Sequence, residues 1–347
     1  MDDTMKCAMI HEYGPAAEVL RIQSVPVPSL RRGEVLVRQH ATSVNPIDCR
    51  VRGGYGRVIL SRMRGFELPL IPGRDVSGEV VKIGLGVQGL SVGDAVFGVS
   101  STKANGAYAE YVVVKATEVV CKPVSLSFEA AAAFPYVACT VWDALVAKAG
   151  LNSESAPGKK VFVQGGAGGI GSFAIQLLKA WGAHVATTCS SQQVPSVRAL
   201  GADVVIDYEL EDYAQGLSGY DVALETIGGP LEEKTVGILR KDGAGVFVTL
   251  IHPLLKTFDE HGLIHGALKN LSLFRQRKRS ARQSGVRRYH WSIFKSNGDA
   301  LATVSRFVDQ GMIRPHVDRA YALDEIVSAH EYCEQGRSNG KIIVRIP

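Results

Sequence analysis

The sequence predicts an α/β protein with a compact, barrel-like β domain in front and a doubly wound parallel sheet behind it. Three observations predict this. Up to about residue 125, short apolar runs alternate with close turn signals. From about residue 128, strands are separated by helical stretches, the pattern of parallel βαβ units. The first of those strands runs into a glycine-rich turn that opens a helix. A length of 347 residues suits two domains at roughly 100–200 residues each.

The front half begins with acidic MDDTMK and a strand-like MKCAMI. Strands are expected at 35–38, 76–83 and 109–114. Arg32-Gly33, Gly53-Gly54, Gly73, Gly93-Asp94 and Asn105-Gly106 mark the turns. A helix is expected over 128–147, with Ser127 as its N-cap. The strand 161–163 precedes the glycine turn, and a helix follows at 173–181. Further strands are expected at 184–188, 204–207, 222–225 and 246–250. The chain closes with a helix at 298–308, a strand at 316–321, a helix at 324–334 capped by Asp324, and a strand at 341–346.

Lys and Arg number 39 against 34 Asp and Glu, a net charge of +5 that excludes a polyelectrolyte binder. No zinc-finger, basic-zipper or RNA-recognition signature is present, so no nucleic-acid partner is expected. The longest apolar stretch, 130–142, is shorter than the roughly 20 residues a span needs and contains Pro135. No signal peptide is visible. Six scattered cysteines without a CxxC pair read as reduced thiols, so a cytoplasmic location is expected.

Residues 165–171 read GGAGGIG. Gly166, Gly168 and Gly171 fit GxGxxG, and Gly165, Gly168 and Gly171 fit GxxGxxG. Such glycines allow a tight turn and a close backbone approach to a pyrophosphate. The helix behind them offers unpaired N–H groups to phosphate. An NAD site carries Asp or Glu about 20 residues on, bonded to the ribose 2′-hydroxyl. Residues 172–202 contain neither. Thr187-Thr188-Cys189-Ser190-Ser191 stands there instead, with Arg198 either adding charge or lying on a helix surface. NADPH is therefore expected over NADH.

The strings VNPIDCR (44–50), PGRDVSG (72–78), VGDAVFG (92–98), GAYAEYVVV (106–114), GGAGGIGSFAIQLLKAWGAHV (165–185) and LGADVVIDY (200–208) resemble the medium-chain dehydrogenase/reductase superfamily. The likeness is to its zinc-free quinone oxidoreductase branch. It is strongest to the reticulon-4-interacting, NADPH-dependent oxidoreductase family and its bacterial relatives. The resemblance implies a GroES-like catalytic domain from 1–130 and 295–347, a Rossmann domain from 131–294, and a homodimer. The positions that match zinc ligands in the superfamily hold Asn45, Arg74 and Tyr136, none a good ligand. The cysteine-rich zinc lobe is missing, and the nine histidines show no HxH or HExxH spacing. No metal is expected.

Without a Lewis acid, the acceptor must take hydride unaided, which favours quinones and activated enones. Asn45, Tyr55 and Tyr136 are the candidate donors to a developing oxyanion, with Asp48 holding Asn45. For the cofactor, the resemblance adds Ala167, Gly169 and Ile170 in the glycine turn, Ser190, and Tyr208 beside the 2′-phosphoribose. It also implies Thr226 and Leu250 near the nicotinamide ribose, and Arg337, Ser338, Asn339 and Lys341 in the final loop. Two other readings stay open: an enoyl-thioester or enone reductase, and a catalytically quiet NADPH-binding scaffold.

The charge excess is concentrated. Lys269, Arg275, Arg277, Lys278, Arg279, Arg282, Arg287 and Arg288 fall within 269–288 without one acidic residue. The remainder of the chain is net acidic. This stretch reads as a solvated face, or as a contact with an anionic acceptor or an anionic membrane.

Overall fold

The computed structural model describes residues 3–62, 67–100 and 106–347. The turn signal at Asn105 lies outside these residues. β1 (Thr4–Met9) and β2 (Arg21–Pro26) pair antiparallel as a ribbon. β3 (Glu34–Val44), β4 (Asp75–Ile83), β5 (Ala95–Val99), β6 (Tyr111–Lys115) and β7 (Val119–Cys121) build most of the front sheet. β8 (Lys160–Val163), β9 (His184–Cys189), β10 (Val204–Asp207), β11 (Val222–Glu225), β12 (Val246–Thr249) and β13 (Arg288–Trp291) form a second, all-parallel sheet. The chain then returns to the front with β14 (Val317–Ala322) and β15 (Lys341–Arg345).

The parallel sheet is ordered β10-β9-β8-β11-β12-β13. Strand order therefore reverses between β8 and β11. In doubly wound sheets ligands bind outside the carboxyl ends of the strands at that reversal. Both faces of the sheet are apolar, as two covering helix layers require. Val161 and Val163 point into one core, with Phe173, Leu177 and Leu224. Phe162 points into the other, with Tyr213, Phe247 and Tyr289. Phe97 and Val99 of β5 join the first of these, so front and back share packing. Each such fully buried side chain contributes about 1.5–3 kcal/mol.

Ser127 caps as expected, its hydroxyl accepting from the Ala130 N–H at 3.2 Å. The helix behind it is interrupted: Phe128–Ala131, then Pro135–Trp142, then a wider turn over Asp143–Lys148. Pro135 has no N–H and restarts the helix at its own first turn. By length and composition the 21 residues Phe128–Lys148 could cross a membrane, but 72% of the apolar window is buried in this fold. Asp324 is not a cap. It lies inside a short 3₁₀ turn, Leu323–Glu325, and pairs with Lys6 at 2.6 Å. All six cysteines are free, and all but Cys121 are buried.

The basic stretch belongs to a helix, Leu254–Gln283, followed by a turn into β13. Gly262 breaks it, with φ +70° and ψ −173°. Sequence periodicity misses this helix because only a few of its residues, among them Thr257, Gly266, Asn270 and Ala281, are buried, and none of those four is a large aliphatic.

Candidate active site

A cleft of about 360 Å³ opens at the strand reversal. Its floor is the glycine turn. Gly165 adopts φ +70°, which a residue with a Cβ rarely adopts. A Cβ on Gly171 would lie 2.1 Å from the Gly165 carbonyl oxygen, so the helix Gly169–Ala180 starts hard against the turn. Gly168 differs: a Cβ there meets nothing nearer than 3.6 Å. Its smallness serves the cleft rather than the chain. No side chain caps this helix, so its first N–H groups face the cleft floor unclaimed. These residues suit a dinucleotide pyrophosphate.

The hydroxyl run at the end of β9 is engaged differently from expectation. Thr187 donates to the Val163 carbonyl at 2.6 Å, Ser190 to Gln193 at 3.0 Å, and Ser191 to Asp207 at 2.5 Å. Thr188 accepts from the Gly165 N–H at 3.3 Å, which leaves its own hydrogen available. Thr188, Gln193 and Tyr208 line the cleft, whereas Ser190 is outside the lining. Arg198 is exposed, close enough to act on the Cys189 thiol.

The other wall is a polar knot set by strand register. β15 runs antiparallel to β3 with Ile342 opposite Val44, which brings Lys341 beside Asn45. β3 pairs β4 with Ala41 opposite Ser77, which brings Asp75 beside Ser43. The Lys341 ammonium donates to Asn45 Oδ1 and lies 3.4 Å from Asp75 Oδ2. The Asn45 amide donates to Asp75 at 2.8 Å and to Asp48 at 3.2 Å. The Ser43 hydroxyl donates to Asp75 as well. Asp75 Oδ1 accepts from the Tyr136 N–H at 2.6 Å, at the start of the helix Pro135–Trp142. A carboxylate with no exposed surface is held there by an ammonium, a helix N-terminus and two further side-chain donors, Ser43 and Asn45.

Asn45 thus has every amide hydrogen and its oxygen occupied. It holds Lys341 and is not a free donor. Tyr136 lines the cleft and stacks on Phe294, ring centres 4.7 Å apart. Burial pushes its phenol well above the ordinary value, so it stays a neutral donor. Asp48 lies behind Asn45, outside the lining, and accepts from the Asn45 N–H at 2.9 Å. Burial pushes Asp48 up to about 6, opposed by the Arg74 guanidinium. Tyr108 connects it to buried His330: the hydroxyl is 3.4 Å from Asp48 and 3.2 Å from His330 Nε2.

Gly165, Ala167, Gly168, Gly169, Ile170, Gly171, Tyr208, Thr226, Ser338, Asn45, Tyr136 and Lys341 come together around the cleft. Tyr55, Leu250, Arg337 and Asn339 do not. Tyr55 is half-buried on its loop, near Asp259, which accepts from the Gly56 and Val58 N–H groups. Leu250 packs into the core, and Asn339 bonds His316 and Asp318. Lys341, expected among the cofactor contacts, passes beside Gly169 and ends its ammonium on Asn45 in the front wall. Asp75 escapes sequence reasoning. Its one signal is a carboxylate opening the strand DVSGEVV.

Asn45, Arg74 and Tyr136 offer no thiolate, imidazole or carboxylate, and among the described residues no group of three His, Cys, Asp or Glu could hold a metal. The residues do not suit a zinc ion.

Residues 31–124 match the family model of the alcohol dehydrogenase GroES-like domain, and residues 200–344 that of zinc-binding dehydrogenase. A mitochondrial NAD(P)H oxidoreductase of Danio rerio, RTN4IP1, is 39% identical over 99% of this chain and 91% of its own. The chain belongs to the medium-chain dehydrogenase/reductase superfamily, in its quinone oxidoreductase-like branch. The quinone oxidoreductase from Coxiella burnetii shares this branch's fold with a TM-score of 0.83 and 29% identity, covering 99% of this chain and 100% of that one. A 2-methylene-furan-3-one reductase of Solanum lycopersicum is 33% identical over 98% of this chain and 79% of its own. As a member of this superfamily the chain is an oxidoreductase. The cytoplasmic expectation is corrected, because the relatives from Danio rerio, Mus musculus and Homo sapiens are named mitochondrial. Free thiols report a reducing compartment and do not tell one such compartment from another.

Proposed function

We propose that the chain is a zinc-independent, NADPH-dependent reductase that delivers hydride to a quinone or a similar electron-poor carbonyl acceptor. The cofactor is NADPH. When bound, it supplies hydride from its dihydronicotinamide ring. The glycine turn and uncapped helix start would hold its pyrophosphate, with Thr188 and Tyr208 toward the adenosine end. The reading takes 1–130 with 295–347 as the acceptor side and 131–294 as the cofactor side.

One observation carries it: Lys341 and Tyr136 line the same cleft as the glycine turn. Negative charge grows on the acceptor oxygen as hydride arrives, and preorganised donors there lower the barrier. Lys341 brings a full positive charge, and Tyr136 a neutral hydroxyl. Asn45 and Asp75 are positioning residues that fix the ammonium. Lys341 can pass a proton to the reduced oxygen and regain one from solvent, while Tyr136 keeps its proton and donates a hydrogen bond.

The name of the tomato relative favours a second acceptor class, the enones, for which the same donors would serve an enolate oxygen. Assembly is taken as a homodimer, for which β13, at the edge of the parallel sheet, supplies an open strand. Steady-state kcat/KM with NADPH across benzoquinones, a conjugated enone and crotonyl-CoA tests the assignment. Quinones are expected to lead. A lead for the thioester overturns the acceptor, and an equal or better efficiency with NADH overturns the cofactor choice.

A further inference from the structure

Beyond its Gly262 break, the helix Leu254–Gln283 runs uninterrupted for roughly 30 Å. One side of this stretch carries its buried positions, Gly266, Asn270 and Ala281. The opposite side carries Ile264, Leu268, Leu271, Arg275, Arg279 and Arg282. Their spacing of 4, 3, 4, 4 and 3 residues keeps them on one stripe. The N-terminal half of the stripe is apolar and the C-terminal half basic.

Single exposed aliphatics are ordinary on a protein surface. Three on one helical stripe are not. Ile264 is 76% exposed, Leu268 63% and Leu271 45%. The basic half is equally unanswered. Among the described residues Arg277 pairs with Glu232 at 2.6 Å, but no ion pair involves Arg275, Arg279 or Arg282. These three arginines sit in the segment 269–288, which holds no acidic residue, while the rest of the chain is net acidic. Attraction to a negative surface would therefore favour turning this helix toward it.

We propose that this stripe docks the protein on an anionic lipid bilayer. Ile264, Leu268 and Leu271 enter the boundary between headgroups and acyl chains. Arg275, Arg279 and Arg282 reach lipid phosphates from the same side of the helix. Exposed aliphatics gain by burial at the boundary of headgroups and acyl chains, arginine side chains beside them are long enough to reach back to the phosphates, and each basic residue near the surface adds binding that salt weakens. The charge decides the occupant. A second copy of this chain would present the same arginines to one another, and an apolar protein groove would leave them unpaired. The inference is independent of which acceptor is reduced.

Cosedimentation of the full chain with vesicles tests it, using phosphatidylcholine alone and phosphatidylcholine mixed with phosphatidylserine. Binding is expected only to the mixed vesicles, and it should fall as salt rises. Replacing Arg275, Arg279 and Arg282 together by Gln should weaken it about 100-fold. Replacing Ile264, Leu268 and Leu271 together by Ser should weaken it at least tenfold and reduce the part that survives at high salt. Both variants should keep wild-type NADPH oxidation in solution, which shows them folded. Equal binding to both vesicle types, or none to either, overturns the proposal. So does an Ile264/Leu268/Leu271 variant that leaves vesicle binding unchanged but lowers the sedimenting mass, which would assign the stripe to a second copy.

Discussion

The two walls of the cleft are built by opposite means. The cofactor wall is built chiefly from the glycine turn 165–171, which acts almost wholly through backbone. The acceptor wall is side chains: Asn45, Asp75, Tyr136 and Lys341, with 296 residues between the two ends of one hydrogen bond. A site made of backbone needs a particular string, because only glycine leaves the backbone bare. A site made of side chains needs only that strand pairing deliver them, and many strings do that. The first kind tolerates no added atom. The second tolerates changes of size but not of charge.

The largest test of this contrast is Gly171→Ala. Its methyl would overlap the Gly165 carbonyl, and two stretches of backbone cannot both yield. A stability loss above about 4 kcal/mol is expected, with no NADPH binding by fluorescence titration. Gly168→Ala is the control. It should fold normally, since nothing lies within 3.6 Å of the new methyl, yet bind NADPH less tightly. Near-wild-type stability in the Gly171 variant would break the contrast.

The same contrast explains what the sequence disclosed. The strands at 204–207 and 222–225 were legible to the residue because each is a short apolar run, VVI and VAL, closed by a carboxylate. The glycine turn was legible for the reason just given. Asp75 was not, since its meaning lies in the β3–β4 and β3–β15 registers, which no local pattern encodes. Lys341 was legible as a site residue only through family likeness, and its stem does lie against Gly169 in the glycine turn. The final loop suggested the cofactor, while register sends the ammonium to Asn45. The long helix failed for another reason: its exposed stripe is half apolar, so the polar–apolar alternation that betrays a surface helix is blurred.

Asp75→Asn is the second test, now on the side-chain wall. It preserves shape but leaves Lys341, a buried ammonium, without its counter-charge. Breaking such a pair costs about 3–5 kcal/mol, and the lower end is expected because Asn can still accept. Urea unfolding at neutral pH measures it. The double variant Asp75→Asn with Lys341→Met should recover most of the loss, since no unpaired charge stays buried and only the neutral Asn45 Oδ1 loses its donor. Failure to recover would mean that Asp75 matters as a cap for the Tyr136 helix rather than as a counter-ion.

The smallest effect is confined to a pH window. Folding raises Asp48 from an ordinary 3.8 to about 6 through burial. The folded chain then holds this proton more tightly than the unfolded one, so stability is full below about pH 4 and is lost as pH rises through 6. His330 works in the opposite sense. Burial pushes it from 6.5 down to about 3, so its contribution is full above pH 6.5 and is lost as pH falls toward 3. Tyr108 joins the two groups, and between pH 4 and 6 their slopes oppose each other. Asp48→Asn removes one slope and exposes the other. Acidified from pH 6 to 4, the variant should lose roughly 2–3 kcal/mol more than wild type by urea unfolding. Parallel profiles would show that Asp48 ionises as freely in the fold as in water. The hydrogen bonds behind Asn45 would then be those of an open, hydrated carboxylate, and the acceptor wall would be less dry than the cofactor wall opposite.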